Sequence, residues 1–442
     1  MKRTLGDLTA REIEDRITNQ VVLVRTDYNV RGSDGAIVSA NRVRQSLPTI
    51  EWLIEHKAKV VVLSHCGRPF DLVKKLVETL PSHAAAMECV ASSQSMDAVA
   101  ELLQELLAEH NAKPRVTFVD ECCGESVTTA VSRMPPGSIL LLENSRLVAS
   151  KVRPNASCDE NCEAEFASEI VTSVQPRAYV FDGFSVCHRA HASVTGIADA
   201  LRRMDDQTPV IAGKLLEQEI AAVVEGLSPE KVKRPYYAIL GGAKVSGKGG
   251  KLAVIERLLD TADRLIIGGA MLYPFLVADH HDAGADPLGR TPEKVKIDVR
   301  AARDMLDKAN GRILLPSQLC GLFPSTNDGT SQFRMRDVDA DNLRTLLQTL
   351  DPPGTVVWNG PMGVFENARF RAGTSTCLQY LVDATKNHGA VTVAGGGDSE
   401  AAIEACLPEA AQVLSHISTG GGAMLAALAG EALPGIDMLD EV

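Results

Sequence analysis

The stretch Ala390-Val391-Thr392-Val393-Ala394-Gly395-Gly396-Gly397-Asp398-Ser399 decides the fold. Five residues suited to a strand buried on both faces run into three glycines, and Glu400-Ala401-Ala402-Ile403 then takes up a helical period. The strand therefore ends on a glycine turn and delivers the Asp398 carboxylate where a helix begins. A second stretch, Ser418-Thr419-Gly420-Gly421-Gly422, precedes Ala423-Met424-Leu425-Ala426-Ala427-Leu428 and puts glycines at another helix N-terminus. Backbone N–H groups there, helped by the helix dipole, favour a phosphate or a phosphoryl group in transfer. An acid beside them suits a metal ion that shields phosphate charge. The pair predicts phosphoryl-transfer chemistry.

Short β-branched runs recur between helical patterns in two sets. One comprises residues 21–24, 60–63, 116–119, 139–142 and 179–181. The other comprises residues 238–240, 265–267, 313–315, 356–358 and 391–393. Between them lie amphipathic helices, the clearest carrying Val99, Leu102, Leu103, Leu106 and Leu107 on one face behind the cap candidate Ser95. Alternation of strand and helix predicts an α/β protein with two doubly wound parallel-sheet (Rossmann-like) domains. The expected division is an N-terminal domain over 1–208, a connecting hinge helix over 209–226, a C-terminal domain over 227–420, and a tail over 421–442 returning to the N-terminal domain.

The chain has 442 residues, 45% of them hydrophobic, enough for two cores. Its net charge of -12 argues against nucleic-acid and anionic-membrane surfaces. It does not exclude an anionic ligand, since unit charges about 10 Å apart in water interact by only ~0.4 kcal/mol. Ten cysteines show no zinc-type spacing, so reduced thiols in a cytoplasmic protein are expected rather than a Cys158–Cys162 disulfide. Residues 1–3 lead into polar sequence with no signal-peptide core, and no run approaches a membrane span.

In open α/β sheets ligands gather beyond the carboxyl ends of strands. In the first half those ends are followed by Arg42, by His65 and Arg68, by Arg146, and by His188, Arg189 and His191. Any one of these reads as a solvated surface charge. Together they repel one another unless an anion joins them, and guanidinium forks suit carboxylate and phosphate. A small phosphorylated carboxylic acid is the expected ligand of this half.

In the second half, the run from Gly242 through Ala243 to Lys248 has the glycines and lysine of a P-loop, but Gly249 stands where that loop needs a hydroxyl. A P-loop hydrolase is therefore not expected. Lys244 and Lys248, four apart, can still line a polyphosphate. The turn-rich run from Trp358 to Glu366 follows a strand and suits a nucleotide, with Glu366 placed to accept from a ribose hydroxyl. Asp398 can serve as a helix cap and as a metal-nucleotide ligand at once.

The ordered set of these stretches resembles phosphoglycerate kinase over nearly the whole chain. It comprises Arg25-Thr26-Asp27-Tyr28-Asn29, Ser64 to Pro69, Glu143 to Arg146, Asp182-Gly183-Phe184 with His188 to His191, Gly241 to Val245, Trp358 to Glu366, Gly395 to Ser399 and Ser415 to Ala423. The resemblance implies reversible, Mg-dependent phosphoryl transfer between ATP and 3-phosphoglycerate, giving ADP and 1,3-bisphosphoglycerate. It implies that Asp27, Asn29, Arg42, His65, Arg68, Arg146 and Arg189 hold the acid. It places Gly242, Ala243, Lys244, Lys248, Gly268, Gly269, Asn359, Gly360, Glu366, Gly397, Asp398 and Ser399 around the nucleotide. Arg42, Lys244, Gly396, Gly420 and Gly421 would face the group in transfer, and Asp398 would hold the Mg-nucleotide. A monomer that closes about a hinge is the family expectation. The alternative is a kinase-like binding protein with reduced or lost turnover.

Four departures stand out. Phe181 occupies a position where the family usually has Asn, and Gly247 one where it has Asp. Residues 335–341, with acids at Asp337, Asp339 and Asp341, replace a Gly-Leu-Asp-Ile-Gly-Pro pattern that lines the adenine pocket. Residues 70–94 are additional; there Leu72, Val73, Leu76, Val77 and Leu80 predict a short surface helix.

Overall fold

Val22 to Val24 and Val60 to Leu63 are wholly shielded from solvent, on both faces of their strands, as their unbroken apolar character requires. The computed structural model describes the chain except residues 33, 110–113, 150–155, 244, 247–249, 282–285, 318 and 321–336. It divides into Met1–Glu219 with Leu433–Val442, and Ile220–Ala432.

The first unit carries β1 (Val21–Thr26), β2 (Lys59–Leu63), β3 (Val116–Phe118), β4 (Ile139–Leu141), β5 (Ala178–Asp182) and β6 (Val210–Ala212). Their order is β3-β4-β2-β1-β5-β6, all parallel. Chain direction across the sheet reverses between β1 and β5, so a crevice opens beyond their carboxyl ends. β6 lies inside the stretch expected to be a connecting helix; after it the chain is helical over Lys214–Glu219, as α-helix, and Ile220–Glu225, as π-helix. The last ten residues return to this sheet edge, with Asp440 N–H donating to Val210 O at 2.9 Å and Arg3 N–H to Asp440 O at 2.8 Å. Residues 421–432 stay with the second unit.

Helix Asp97–Glu109 buries Val99, Leu103, Leu106 and Leu107 against the sheet. Ser95 before it accepts the Asp97 N–H at 3.3 Å and donates to Glu143 Oε2 at 2.8 Å, tying the helix start to the end of β4. The additional segment forms two helices, Pro69–Leu76 and His83–Gln94, where one was expected. Val73, Ala86 and Val90 form their shared core, flanked by Leu72, Leu76, Leu80, Met87 and Leu147. Phe181, at the Asn position, is buried where Gly435 of the returning tail packs; a Cβ on Gly435 would lie 2.8 Å from the ring. Nothing larger than glycine fits there.

The second unit holds β7 (Tyr236–Leu240), β8 (Arg264–Ile267), β9 (Ile313–Leu314), the antiparallel pair β10 (Leu319–Cys320) and β11 (Asp337–Val338), then β12 (Thr355–Asn359), β13 (Val391–Gly395) and β14 (His416–Ser418). Its main sheet is ordered β14-β13-β12-β7-β8-β9, again all parallel, and reverses between β7 and β12. Among the described residues no helix is long and apolar enough to cross a membrane.

Asp182, ending β5, is wholly buried; its Oδ1 accepts the Leu216 N–H at 3.0 Å, and its other oxygen meets no partner among the described residues. Burial pushes this carboxyl from 3.8 up to about 6. A raised acid pKa stabilises the fold fully below about pH 4, and that contribution is lost as pH rises through 6. The shift corresponds to ~3 kcal/mol at most. Urea titrations of Asp182→Asn should therefore lack a loss of stability that the parent shows between about pH 4 and 7. Parallel curves for the two proteins would mean that Asp182 ionises normally.

Candidate active site

Beyond β1, the Asp27 carboxylate is nearly enclosed. Arg42 Nη1 donates to its Oδ2 at 2.8 Å, Asn29 N–H to its Oδ1 at 2.9 Å, and the Ser185 hydroxyl to Oδ2. Burial alone would raise this acid, but the Arg42 charge and the two hydrogen bonds outweigh it and hold the carboxyl below its usual range. Asn29 Oδ1 accepts the Gly67 N–H at 2.8 Å, and Arg146 Nη1 donates to Gly67 O at 2.7 Å. One turn thus links Asn29, Arg146 and the neighbouring Arg68.

His65 lies between two charges. Its Nδ1 is 3.3 Å from Arg25 Nη2, and its Nε2 is 3.7 Å from Asp27 Oδ1. A guanidinium can only donate, so Nδ1 carries the lone pair and Nε2 the proton. Burial, then Arg146, Arg25 and Arg42, push the imidazole well below 6.5, so it is neutral. Arg189 Nε donates to His188 Nε2 at 3.1 Å; burial and then the Arg68 charge lower the Arg189 guanidinium. Arg146, lowered by burial, is likewise crowded by Arg25 and Arg189, against the attraction of Glu160 and Asp159. The five guanidiniums of Arg25, Arg42, Arg68, Arg146 and Arg189 crowd one another, which is the electrostatic signature of an anion site.

Two further buried partners complete this cradle: Arg25, which opens the first resembling stretch with no role implied there, and Asp159, which carries no sequence signal. Arg25 is wholly buried, with Nε donating to Ser193 Oγ at 2.9 Å. Asp159 accepts from Ser145 Oγ at 2.6 Å, Ser193 N at 2.7 Å and Ser193 Oγ at 3.0 Å. Burial would raise it, but Arg25 and His191 hold it below the usual range.

In the second unit a cavity of about 360 Å³ opens where the sheet reverses. Of the residues that the sequence placed around a nucleotide or the group in transfer, Gly242, Ala243, Asn359, Gly360, Gly396, Gly397, Asp398, Ser399 and Gly421 line it; Gly395, Leu425 and Lys251 complete the lining. Close backbone approach explains two of the glycines. A Cβ on Gly421 would lie 2.7 Å from Gly396 Cα, and Gly396 itself has a φ of 107°. Gly360 N–H donates to Ser399 Oγ at 2.9 Å, and Ser399 Oγ to Gly395 O at 2.8 Å, so the two strand ends are stitched together.

Lys251 immediately precedes the helix Leu252–Thr261 and sends its ammonium inward. Nζ donates to Asn359 Oδ1 at 2.6 Å, Gly241 O at 2.8 Å and Asn359 O at 2.9 Å. Asn359 Nδ2 in turn donates to Gly395 O at 2.7 Å. Burial brings this ammonium down from 10.5 to about 7, with Asp398 pulling the other way.

Lys244 and Lys248 lie outside the described residues. Gly269 packs its backbone on Gly242 rather than lining the cavity, and Gly268 sits over Met362. Gly420 precedes the helix Gly421–Leu428 outside the lining, and Glu366 is exposed and also outside it. The acids of the altered segment have structural tasks. Asp337 is buried and accepts from Gly373 N and Val338 N, both at 2.9 Å. Asp339 caps helix Ala340–Gln348 through Asn342 N–H at 2.8 Å, and Asp341 pairs with Arg344. Residues 335 and 336 lie outside the described set.

Among the described residues no group of three or more potential ligands could hold a metal by itself. The exposed Asp398 carboxylate in the cavity fits a hard cation that is bound jointly with nucleotide phosphates.

The chain matches the family model described as phosphoglycerate kinase over residues 12–431. It is 36% identical over 451 residues to the phosphoglycerate kinase of Picosynechococcus sp., covering 100% of this chain and 99% of that one. It is 35% identical over 454 residues to the chloroplastic phosphoglycerate kinase 1 of Arabidopsis thaliana, covering 100% and 82%. The crystal structure of phosphoglycerate kinase from Pyrococcus horikoshii superposes with a TM-score of 0.75 at 28% identity, covering 99% of this chain and 98% of that one.

A phosphate entering the cavity favours the charged form of Lys251. Nucleotide binding above pH 7 should therefore take up a proton. Calorimetric titration with ADP at about pH 8, in two buffers of different ionisation enthalpy, should reveal that uptake in the parent and much less in Lys251→Met. Buffer-independent heats in the parent would show that Lys251 is already charged.

Proposed function

The chain belongs to the phosphoglycerate kinase family, and from that premise we propose that it moves the terminal phosphoryl group between ATP and the carboxylate of 3-phosphoglycerate. The observation that carries this reading is the pairing of a glycine-walled cavity holding Lys251 and Asp398 with a cationic cradle built on Asp27, Arg42 and His65.

The carboxylate oxygen of 3-phosphoglycerate attacks the terminal phosphorus of ATP. A new P–O bond forms to the acid as the bond to ADP breaks, giving the acyl phosphate with no proton to move. A carboxylate is already ionised, so positioning and charge stabilisation supply the rate rather than a general base. Arg68, Arg146 and Arg189 hold the acid's anionic groups. His65 donates through Nε2, and Asp27 fixes Arg42 at the reacting end. Lys251, Asn359 and the amides of Gly396, Gly397 and Gly421 face the phosphoryl group and its nucleotide. Bound with the nucleotide at Asp398, Mg²⁺ would neutralise phosphate charge.

Acid and nucleotide are held on different units, so the reaction requires them to approach about residues 209–226 and expel water. We take the enzyme to act as a monomer in a cytoplasmic, reducing compartment. Among the nine cysteines whose side chains are described, Cys158 and Cys162 included, none forms a disulfide, in keeping with that reading. A ligand-binding protein without turnover is disfavoured by the intact cradle and cavity.

In a coupled assay with ATP, Mg²⁺ and 3-phosphoglycerate, Arg42→Ala should lower kcat by about 100-fold or more while the variant remains folded by circular dichroism. A near-normal rate would remove Arg42 from the mechanism. Small-angle scattering should register compaction only when both substrates are present. Identical profiles with and without them would count against closure.

A further inference from the structure

The additional helices wall a second cavity in the first unit, of about 610 Å³. Arg31, Arg68, Lys74 and Lys75 line it against a single lining acid, Asp71. In a chain of net charge -12, four cations to one acid around a concave space is a local reversal of sign. The wall is built rather than draped, because the two helices have their own apolar core. Arg31 is fixed by donating to Gly35 O at 2.8 Å and Asp97 Oδ1 at 2.7 Å. Arg68 and Lys74 share Asp71 at only 3.9 and 3.8 Å, so one carboxylate is divided between two partly exposed cations. Such loose surface pairs neutralise little.

We propose that this cavity is a regulatory site for a multivalent, phosphate-rich anion larger than a three-carbon acid, such as a linear polyphosphate or the polyphosphate arm of a nucleotide. Its volume lies within the range of roughly 300–1,000 Å³ typical of small-molecule sites. Coupling to the acid cradle comes from position. Gly67 lines the cavity while its N–H binds Asn29 and its carbonyl binds Arg146. Arg68, the next residue, already perturbs Arg189 electrostatically. An anion that draws Arg68 toward Lys74 and Lys75 weakens the grip on 3-phosphoglycerate and leaves the nucleotide cavity untouched. The coupling rests on the proposed function, but occupancy of the cavity does not.

The probe is inorganic tripolyphosphate, titrated calorimetrically into the full chain at low salt without substrates, and into Lys74→Glu/Lys75→Glu. Both lysines are exposed and lie outside the acid cradle, so the variant should keep its fold and its KM for 3-phosphoglycerate. Parent binding should fall by about tenfold or more in the variant. In the coupled assay tripolyphosphate should raise the KM for 3-phosphoglycerate in the parent but not in the variant, with kcat unchanged. Equal affinity in parent and variant, abolished by Arg42→Ala, would put the anion in the acid cradle and overturn the proposal. Absence of binding to the parent would overturn it too. A chain without kinase turnover would defeat the functional reading alone, since the two titrations decide the cavity independently.

Discussion

A wholly buried guanidinium, that of Arg25, governs the first unit. Removing such a charge from water costs several kcal/mol unless a buried counter-charge and hydrogen bonds offset it. Asp159 supplies the charge, and Ser193 links the two by accepting from Arg25 Nε and donating to Asp159 Oδ2. Loss of either partner would leave an uncompensated buried charge, which typically costs about 3–5 kcal/mol. The pair also explains the cradle's geometry. Arg25 dictates which nitrogen of His65 bears the proton, and Asp159 holds Ser145, beside Arg146, and Ser193, two residues beyond His191. Cradle residues from four separate chain segments therefore share one internal counter-ion.

The second unit solves a similar problem with less charge. Lys251 is the buried cation, but neutral carbonyls and the Asn359 amide receive it, and Asp398 pulls on it only at a distance. An ammonium so poorly compensated is held near its titration point and gains most when a phosphate arrives. The glycines are the other half of this arrangement. Where Gly396 and Gly421 meet, the backbones approach so closely that no side chain can intervene, leaving N–H groups and one cation to face the ligand.

Much of this was legible from residue order, for reasons that differ between elements. Runs such as 60–63 announce themselves because burial on both faces demands unbroken apolar character. β6 did not, since Val210-Ile211-Ala212 is three residues long and leads directly into a helical pattern. β14 did not either, because His416 and Ser418 are polar residues on an edge strand. Asp159 reads as an ordinary polar residue, and Arg25 stands in a recognisable stretch without a role; only the fold reveals that they are buried together. Lys251 was overshadowed by Lys244 and Lys248, which fit a glycine–lysine pattern by spacing, whereas a side chain at a helix start points wherever the preceding turn directs it. Spacing reports neighbours along one element, and inward projection depends on how elements meet.

The altered segment shows the same limit from the other side. Three acids in place of glycine-rich sequence suggested a changed base pocket, yet Asp337 turns inward, Asp339 caps a helix and Asp341 pairs along that helix. Asp337 is buried beside Gly363 and Gly373, whose missing side chains make room for its carboxyl; a Cβ on either would lie within 2.6 Å of Oδ1. Burial lifts that carboxyl to about 6, so its charge is weakened even where it is not paired. Acidity in a stretch of sequence therefore does not translate into acidity in a site. The converse holds for the whole protein: in a chain of net charge -12, buried cations gather beyond the strands of both main sheets. Each site is built from enclosed cations and backbone amides, whose fields are screened far less than those of surface charges.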